Sequence, residues 1–459
     1  MMAAKSEVGL DKEPQSGSGS SGDHALGASP EPITLETMDF VASFPEELTD
    51  MILSHLTASD LEYCSGVSQI WSKAIKIFKQ RQYARLKYNW ENGIYSVHRL
   101  SISDDFECAQ VPTIELLPSN FNHDQCLYYP VFMAKKGTQS PLHFCVIRID
   151  AELRKTIDFL FEICPPYYIE NVCVMGGCLI WLESFGTVKY YNATLGSNSK
   201  VETFEKDNHA IPNDSSLTTD RDHIVVSNYR TNYLKVWCKQ SHKPILESKC
   251  NKSSVQKISL CNGCLIISNS FKAGIKSAIE IHNLTNDANN TLKHTFTLAC
   301  RVQNLHSNER FIFLNIEMHH NYIQVHDKQS YAIVYSHKYD SSKPCTIHYA
   351  YDDFIFVKEF LKNSYRILTL ASGEWLTVSS LTKRLYTVFE NISVNCPPFD
   401  NTLHVLDWKR DAELFTLAIP EPNKCDFSFS STHDVVSVSE FRIVVFDLLS
   451  DKFIVYKFG

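Results

Sequence analysis

Two hydrophobic rhythms divide the chain near residue 93. Before that point apolar residues recur every three or four positions, the period of amphipathic helices. In FPEELTDMILSHLTASDL (44–61), Leu48, Ile52 and Leu56 make one stripe, while Phe44, Met51 and Leu53 point to other sides. A helix interior to a domain needs one stripe, so this segment carries more apolar surface than its own module can cover. Ser43 with Glu46, and Ser59 with Glu62, have capping-box spacing and predict two helix starts. Pro45 suits a first turn, where its missing N–H is not needed. A third helix is predicted from Ser68 to about Trp90, with Trp71, Ile75, Phe78 and Leu86 apolar and Lys and Arg on its other sides.

From residue 94 the rhythm changes to short β-branched and aromatic runs separated by Asn, Asp, Gly and Ser, the pattern of an all-β region. A five-residue unit of apolar residues ending on Asp or Asn recurs as VIRID, VKYYN, IEIHN, IQVHD, LHVLD and IVVFD, with LKVWC and ILTLA as degenerate copies. Its last residues are Asp150, Asn192, Cys238, Asn283, Asp327, Ala371, Asp407 and Asp447, a spacing of 36 to 46 residues. A second unit, a polar turn followed by a strand, begins strands at Cys178, His223, Cys264, Arg310, Asp353 and Asp434. Its last step is about twice the others, which places a degenerate copy around FENISVNCPPFD. A period of ~40–45 residues with four short strands per unit is that of a β-propeller with WD-type blades. Eight blades are counted, with seven the alternative because the unit around VIRID has the weakest flanks. Ring closure removes the long exposed edges that so many short strands would otherwise present. Which chain end seals the ring is not readable from the pattern.

Residues 1–38, rich in Ser, Gly, Pro and charge, lack the large apolar residues that offset the entropy of ordering and are expected to be a disordered tail. The expected division is then a helical module at 40–75, a linker helix at 76–93 and a propeller at 94–459. A net charge of −8 argues against a nucleic-acid or acidic-membrane surface. No apolar run approaches the ~18 residues of a membrane span. The start of the chain lacks a secretory apolar core, and the 15 cysteines show no framework of spacings, so reduced thiols in cytoplasm or nucleus are expected. The sequons at Asn192 and Asn283 then read as turn sequence.

Residues 44 to about 75 resemble the F-box. Phe44-Pro45, Leu48, Ile52-Leu53, Leu56, Asp60-Leu61, Val67-Ser68 and Trp71 stand where that family's pattern wants them. With the propeller behind it, the chain is similar to F-box/WD-repeat proteins. The resemblance implies an F-box that docks the Skp adaptor, with cullin and RING subunit joined indirectly, and a propeller that captures a protein client for ubiquitination. It implies adaptor contact or support at Phe44, Pro45, Leu48, Ile52, Leu53, Leu56, Leu61, Val67 and Trp71. A module of roughly fifty residues fits this, since segments below ~70 residues usually need a partner or staple. The alternatives are a helical cap on the chain's own propeller, and a propeller scaffold that assembles proteins without ubiquitin transfer. The WD pattern is incomplete: no Gly-His dipeptide occurs, and Val236-Trp237-Cys238 and Val445-Phe446-Asp447 keep only part of the Trp-Asp ending.

Candidate chemistry is sparse. Cys261-Asn-Gly-Cys264 is the one CxxC, but a zinc site needs a second pair and none follows at finger spacing, so small apolar thiols entering strands explain it better. His319-His320 with His326 could suggest a metal, but the pair falls on a predicted strand-to-strand turn and reads as a solvated loop tip. No nucleophile elbow, phosphate loop or paired zinc-protease histidines occur, and Ser372-Gly-Glu-Trp375 only superficially echoes the Asp-box of hydrolytic propellers, so no catalysis and no cofactor are expected. The basic run Lys73 to Lys87 reads as the solvated face of the linker helix. Turns between second and third strands, the face on which WD propellers commonly bind partners, are expected to carry Lys135, Lys136, Tyr229, Arg230, Lys272, Lys276, Lys362 and Arg442. Such a ring could take a phosphorylated segment. Glu183, Glu317, Glu359, Asp400 and Glu440 lie in or beside the same turns and favour a neutral or apolar peptide instead.

Overall fold

Apolar residues in the propeller strands stand at consecutive positions because each strand is covered on both faces. In Cys264–Phe271, Leu265 and Ile267 pack toward one side with Val225, Leu234 and Val236. Ile266 between them packs toward the other side with Val302, Leu305 and Ile312. The computed structural model of the chain describes residues 40–56, 58–112, 114–116, 126–137, 141–163, 169–175, 177–183, 187–204, 215–249, 253–271, 276–284, 291–317, 321–339, 345–351, 353–359, 364–378, 385–389, 391–395, 402–419, 433–447 and 450–459. The expected tail lies outside them.

Eight sheets form, and six of them run through four consecutive or near-consecutive strands with antiparallel neighbours; blades 2 and 8 each also take a strand from elsewhere in the chain. Blades 1 to 7 occupy residues 106–163, 169–203, 216–249, 253–298, 301–339, 345–378 and 385–418. Blade 8 takes its first three strands from His433–Val438, Arg442–Asp447 and Lys452–Lys457. Its outer strand is Ser96–Ser101, paired antiparallel with Lys452–Lys457 from Ser96↔Lys457 to Ser101↔Lys452. The ring is therefore sealed by a strand from the start of the propeller. Each seam between neighbouring blades holds its own buried apolar cluster, including the closing seam, where Ile147 and Ile149 of blade 1 meet Val444 and Phe453 of blade 8. The blades are those of an eight-bladed β-propeller.

The first recurring unit is the third strand of blades 1 to 7, and its terminal acid has a structural task. Asp150 Oδ1 accepts from the Arg154 N–H at 2.8 Å, and Asp327 Oδ1 from Gln329 and Ser330 at 3.0 and 2.8 Å. Asp407 Oδ1 accepts from Lys409 and Arg410 at 3.1 and 3.2 Å. A short carboxylate that bonds backbone N–H groups just ahead closes the turn to the outer strand. In blade 8 both units slip by one strand. IVVFD is the second strand there, and the run at Asp434 lies in the first, because the outer strand comes from elsewhere. Blade 2 carries a fifth strand, Ile114–Leu116, parallel to Ile169–Met175 and drawn from the connection between the first and second strands of blade 1.

Among the described residues four helices precede the ring: α1 (Phe40–Ser43), α2 (Glu46–Ser54), α3 (Ala58–Ser65) and α4 (Gln69–Glu91). Two expected caps are not the observed ones. Pro45 holds the cap position of α2, its carbonyl accepting from Leu48 and Thr49, and Ser59 falls inside α3. Ser68 does cap α4, its Oγ accepting from the Trp71 N–H at 3.2 Å. The α4 helix runs unbroken through the expected boundary at 75–76, so helical module and linker share one rod. By a rise of 1.5 Å per residue, that rod is about 35 Å long.

Candidate docking surface

The two ends of α4 perform different tasks. Toward its C-terminal end, Leu86 and Trp90 enter the seam between blades 7 and 8, among Phe389, Ile392, Ile443 and Phe458. Trp90 is fully buried, stacks on Phe458 with centroids 3.9 Å apart, and donates its Nε1–H to the Glu440 carbonyl at 2.7 Å. Asn89 Nδ2 donates to the Phe458 carbonyl, and Tyr83 meets Phe389 edge-on at 5.1 Å. An aromatic seam of this kind fixes the helix in both direction and rotation.

Toward its N-terminal end, α4 carries α1 to α3. Leu53, Leu61, Ile75 and Phe78 are buried together, with Leu56, Cys64 and Trp71 packed partly against them. Arg81 bonds Glu46 at 2.8 Å and Asp50 at 3.2 Å, tying α2 to α4. That interior uses only part of the apolar inventory. Leu48 and Met51, three apart in α2 and so on one face, are 43% and 54% exposed, and Phe44, just ahead of α2, is 44% exposed. Val67 and Ile70, at the corner where α4 begins, are 68% and 49% exposed. Together these five expose roughly 400 Å² of apolar surface, within the ~300–600 Å² of the largest patch on a typical monomer, which is often functional.

The nine residues singled out for adaptor contact thus separate into layers. Leu53 and Leu61 are interior; Ile52, Leu56 and Trp71 are half-buried; Phe44, Pro45, Leu48 and Val67 face outward. The stripe Leu48, Ile52, Leu56 runs obliquely from surface to interior, and Phe44, Leu48 and Met51 face outward. Met51 and Ile70 were missed as members of the outward set. The i, i+3 spacing of Leu48 and Met51 was the available signal for Met51.

The expected client-binding residues are less coherent. Lys135, Lys136, Tyr229, Arg230 and Lys276 lie at turns between second and third strands and are exposed. Arg230 lies over the Tyr229 ring at 5.5 Å and donates Nε–H to its hydroxyl at 2.9 Å. Lys136 Nζ donates to the Ser103 carbonyl at 3.1 Å. Lys272, Lys362 and Asp400 lie outside the described residues. Arg442 is misplaced: the one-strand slip in blade 8 puts it at the turn between first and second strands, on the opposite face. It is buried, donating to the carbonyls of Asp150 at 2.9 Å and Ile149 at 3.4 Å across the closing seam. Burial pulls its pKa below the usual arginine range. Glu440 shares that opposite face, and Glu359 is buried near Arg366.

Among the described residues no group of three His, Cys, Asp or Glu side chains converges as metal ligands, and no helix is long and apolar enough to cross a membrane. His326 is buried in its strand, with its Nδ1 3.2 Å from the Tyr331 carbonyl; His319 and His320 lie outside the described residues.

No family model matches the chain, and no curated protein matches it. Among solved structures, the chain is similar to the computationally designed Ika8 protein at 12% identity and a TM-score of 0.45, over 72% of this chain and 93% of that one. It is similar to Hsv2 of Kluyveromyces lactis at 13% identity and a TM-score of 0.42, over 65% and 98%. Apo AztD from Citrobacter koseri aligns at 12% identity and a TM-score of 0.42, over 63% and 83%. The blade count rests on the eight sheets themselves.

Proposed function

We propose that the chain is a client receptor of an SCF-type ubiquitin ligase. In this reading the helical module is an F-box that docks the Skp adaptor, cullin and RING subunit follow through that adaptor, and the propeller holds a protein client. The observation that carries it is the divided burial of the module: Leu53, Leu61, Ile75 and Phe78 complete an interior, while Phe44, Leu48, Met51, Val67 and Ile70 are 43% to 68% exposed. Covering roughly 400 Å² at ~25 cal/mol per Å² is worth about 10 kcal/mol before association costs of ~4–15 kcal/mol, so the patch suits a partner that adds polar contacts of its own. A cap on the chain's own propeller would instead turn this stripe inward.

The receptor performs no bond chemistry. It raises rate by holding a client lysine near the charged ubiquitin carrier, an effective-concentration effect that depends on a stiff connection between the two docking surfaces. The unbroken α4, rooted at Trp90, supports that role. Lys135, Lys136, Tyr229, Arg230 and Lys276 are the proposed client-facing set, for a phosphorylated or a neutral segment.

The test is copurification of the full chain with adaptor and cullin. Stoichiometric recovery is expected, and Leu48→Asp with Met51→Asp, both at exposed positions, should reduce adaptor recovery at least a hundredfold while the thermal transition of the propeller stays in place. Undiminished recovery by the variant would remove the F-box assignment, and absence of adaptor from the unmodified chain would favour the scaffold.

A further inference from the structure

We propose that Cys261 and Cys264 form a reversible disulfide across the turn they flank, making the junction of blades 3, 4 and 5 a thiol–disulfide modification site. The receptor function does not use this motif. Cys261 ends one strand and Cys264 begins the next, and they are direct register partners. Asn262 and Gly263 between them have φ of 47° and 71°, the left-handed conformations of a two-residue hairpin turn. Directly opposed residues of an antiparallel pair stand about 4.5–5.5 Å apart at Cα, inside the ~4.4–6.8 Å range that a disulfide spans. Both thiols are free and half-buried, within reach of small molecules.

The turn joins three blades. The Gly263 N–H donates to Asp220 Oδ2 of blade 3 at 2.7 Å, and Asn262 Nδ2 donates to Glu309 Oε1 at the corresponding turn of blade 5 at 3.0 Å. The Gly263 carbonyl accepts from the Leu284 N–H at 2.7 Å. A disulfide draws its two Cβ atoms to about 3.8 Å, closer than the ~4.5–5.5 Å of an ordinary cross-strand pair. Such a contraction twists the turn and loosens the Gly263 bond to Asp220. The loop closed by the new bond is already closed by the hairpin, so little chain entropy favours oxidation and the bond stays reducible.

The oxidant class is a low-molecular-weight disulfide such as glutathione disulfide. One cysteine, having given up its proton, attacks a sulfur of that disulfide and expels a glutathione thiolate, which takes up a proton. The second cysteine thiolate then attacks the protein sulfur of the mixed disulfide and expels the second glutathione. Two protein thiols are oxidised and one glutathione disulfide is reduced to two thiols. Burial raises the Cys261 pKa, with Lys328 opposing, so exchange should quicken as pH rises above neutrality.

The experiment equilibrates the full chain in glutathione buffers of rising oxidised fraction, followed by acid quench, alkylation and trypsin. Ile258–Lys272 is bounded by Lys257 and Lys272 and contains Cys261 and Cys264 but no other cysteine. The expected result is loss of both labels together, a peptide lighter by two hydrogens, reversal by excess reduced glutathione, and faster amide exchange at Gly263 in the oxidised chain. Cys264→Ser should instead collect one glutathione at Cys261. Retention of both labels at every ratio, glutathione adducts on the unmodified chain in place of an internal bond, or an unlabelled Cys261 in the variant free of glutathione would overturn the proposal.

Discussion

Replacing Trp90 with alanine tests how the helical module is mounted. Trp90 is fully buried between blades 7 and 8, and removing a buried Trp costs about 3–5 kcal/mol through lost transfer energy and residual cavity. Within that sum, stacking on Phe458 should supply about 0.5–1.5 kcal/mol and the hydrogen bond to the Glu440 carbonyl about 1 kcal/mol. The assay is urea unfolding of Trp90→Ala, Phe458→Ala and the double variant, read with amide exchange along α4. The expected outcome is a single-variant loss in that range, a coupling above ~0.5 kcal/mol between the two rings, and faster exchange in the last turns of α4. Because Trp90 stands about 30 Å along the rod from its first turn, the proposed receptor role predicts unchanged adaptor recovery and reduced ubiquitin transfer to a client. A loss below ~1 kcal/mol, or strict additivity of the two substitutions, would refute the rooted rod.

Arg442→Met should cost about 2–3 kcal/mol in urea unfolding, because two carbonyls of the closing seam lose a charged donor, and should leave client capture unchanged. Reduced capture by a fully folded variant would return Arg442 to the client face. His326 has its pKa pushed below the ordinary imidazole value by burial, so its contribution is complete above the unfolded value of ~6.5 and declines as pH falls through the folded one. His326→Phe should therefore flatten the stability profile below pH ~6.5, and an unaltered slope in urea midpoints would contradict this. Asp220 is pushed upward by burial but held below the usual carboxylate value overall by His223 and the N–H groups of Gly263 and Asp222. Asp220→Asn should be less stable than the unmodified chain at neutral pH, with the gap closing as pH falls below ~4 through the folded value. A gap constant down to pH 2 would exclude the ionised network as its source.

Much of the fold was legible because its determinants are local. The period of the third strands survives through Asp150, Asp327 and Asp407, each needed to close a turn, and through the two-sided apolar strands they end. Blade phase was lost only where the chain stops being local. In blade 8 the outer strand is supplied by Ser96–Ser101, so a reading by sequence order runs one strand out of step and carries Arg442 to the wrong face. The helical module was legible as surplus hydrophobicity but not as a layered structure. Periodicity alone does not reveal that α4 covers Leu53 and leaves Leu48 and Met51 bare, because that depends on the angle at which α2 meets α4.

Ring closure and the helical mount are one event in this architecture. The chain leaves α4 at Glu91 and forms the outer strand of blade 8 from Ser96, yet the three strands that receive it are made more than three hundred residues later. Trp90 stacks on Phe458, just beyond the last of those strands, and Leu86 packs in the same cluster. These are contacts of very high sequence separation, whose loop-closure cost is offset only when the intervening blades have formed. Until then α4 has no seam to enter. On the proposed receptor reading, the two docking surfaces take a defined relation only when the propeller is complete, so incompletely folded chains would position a client poorly.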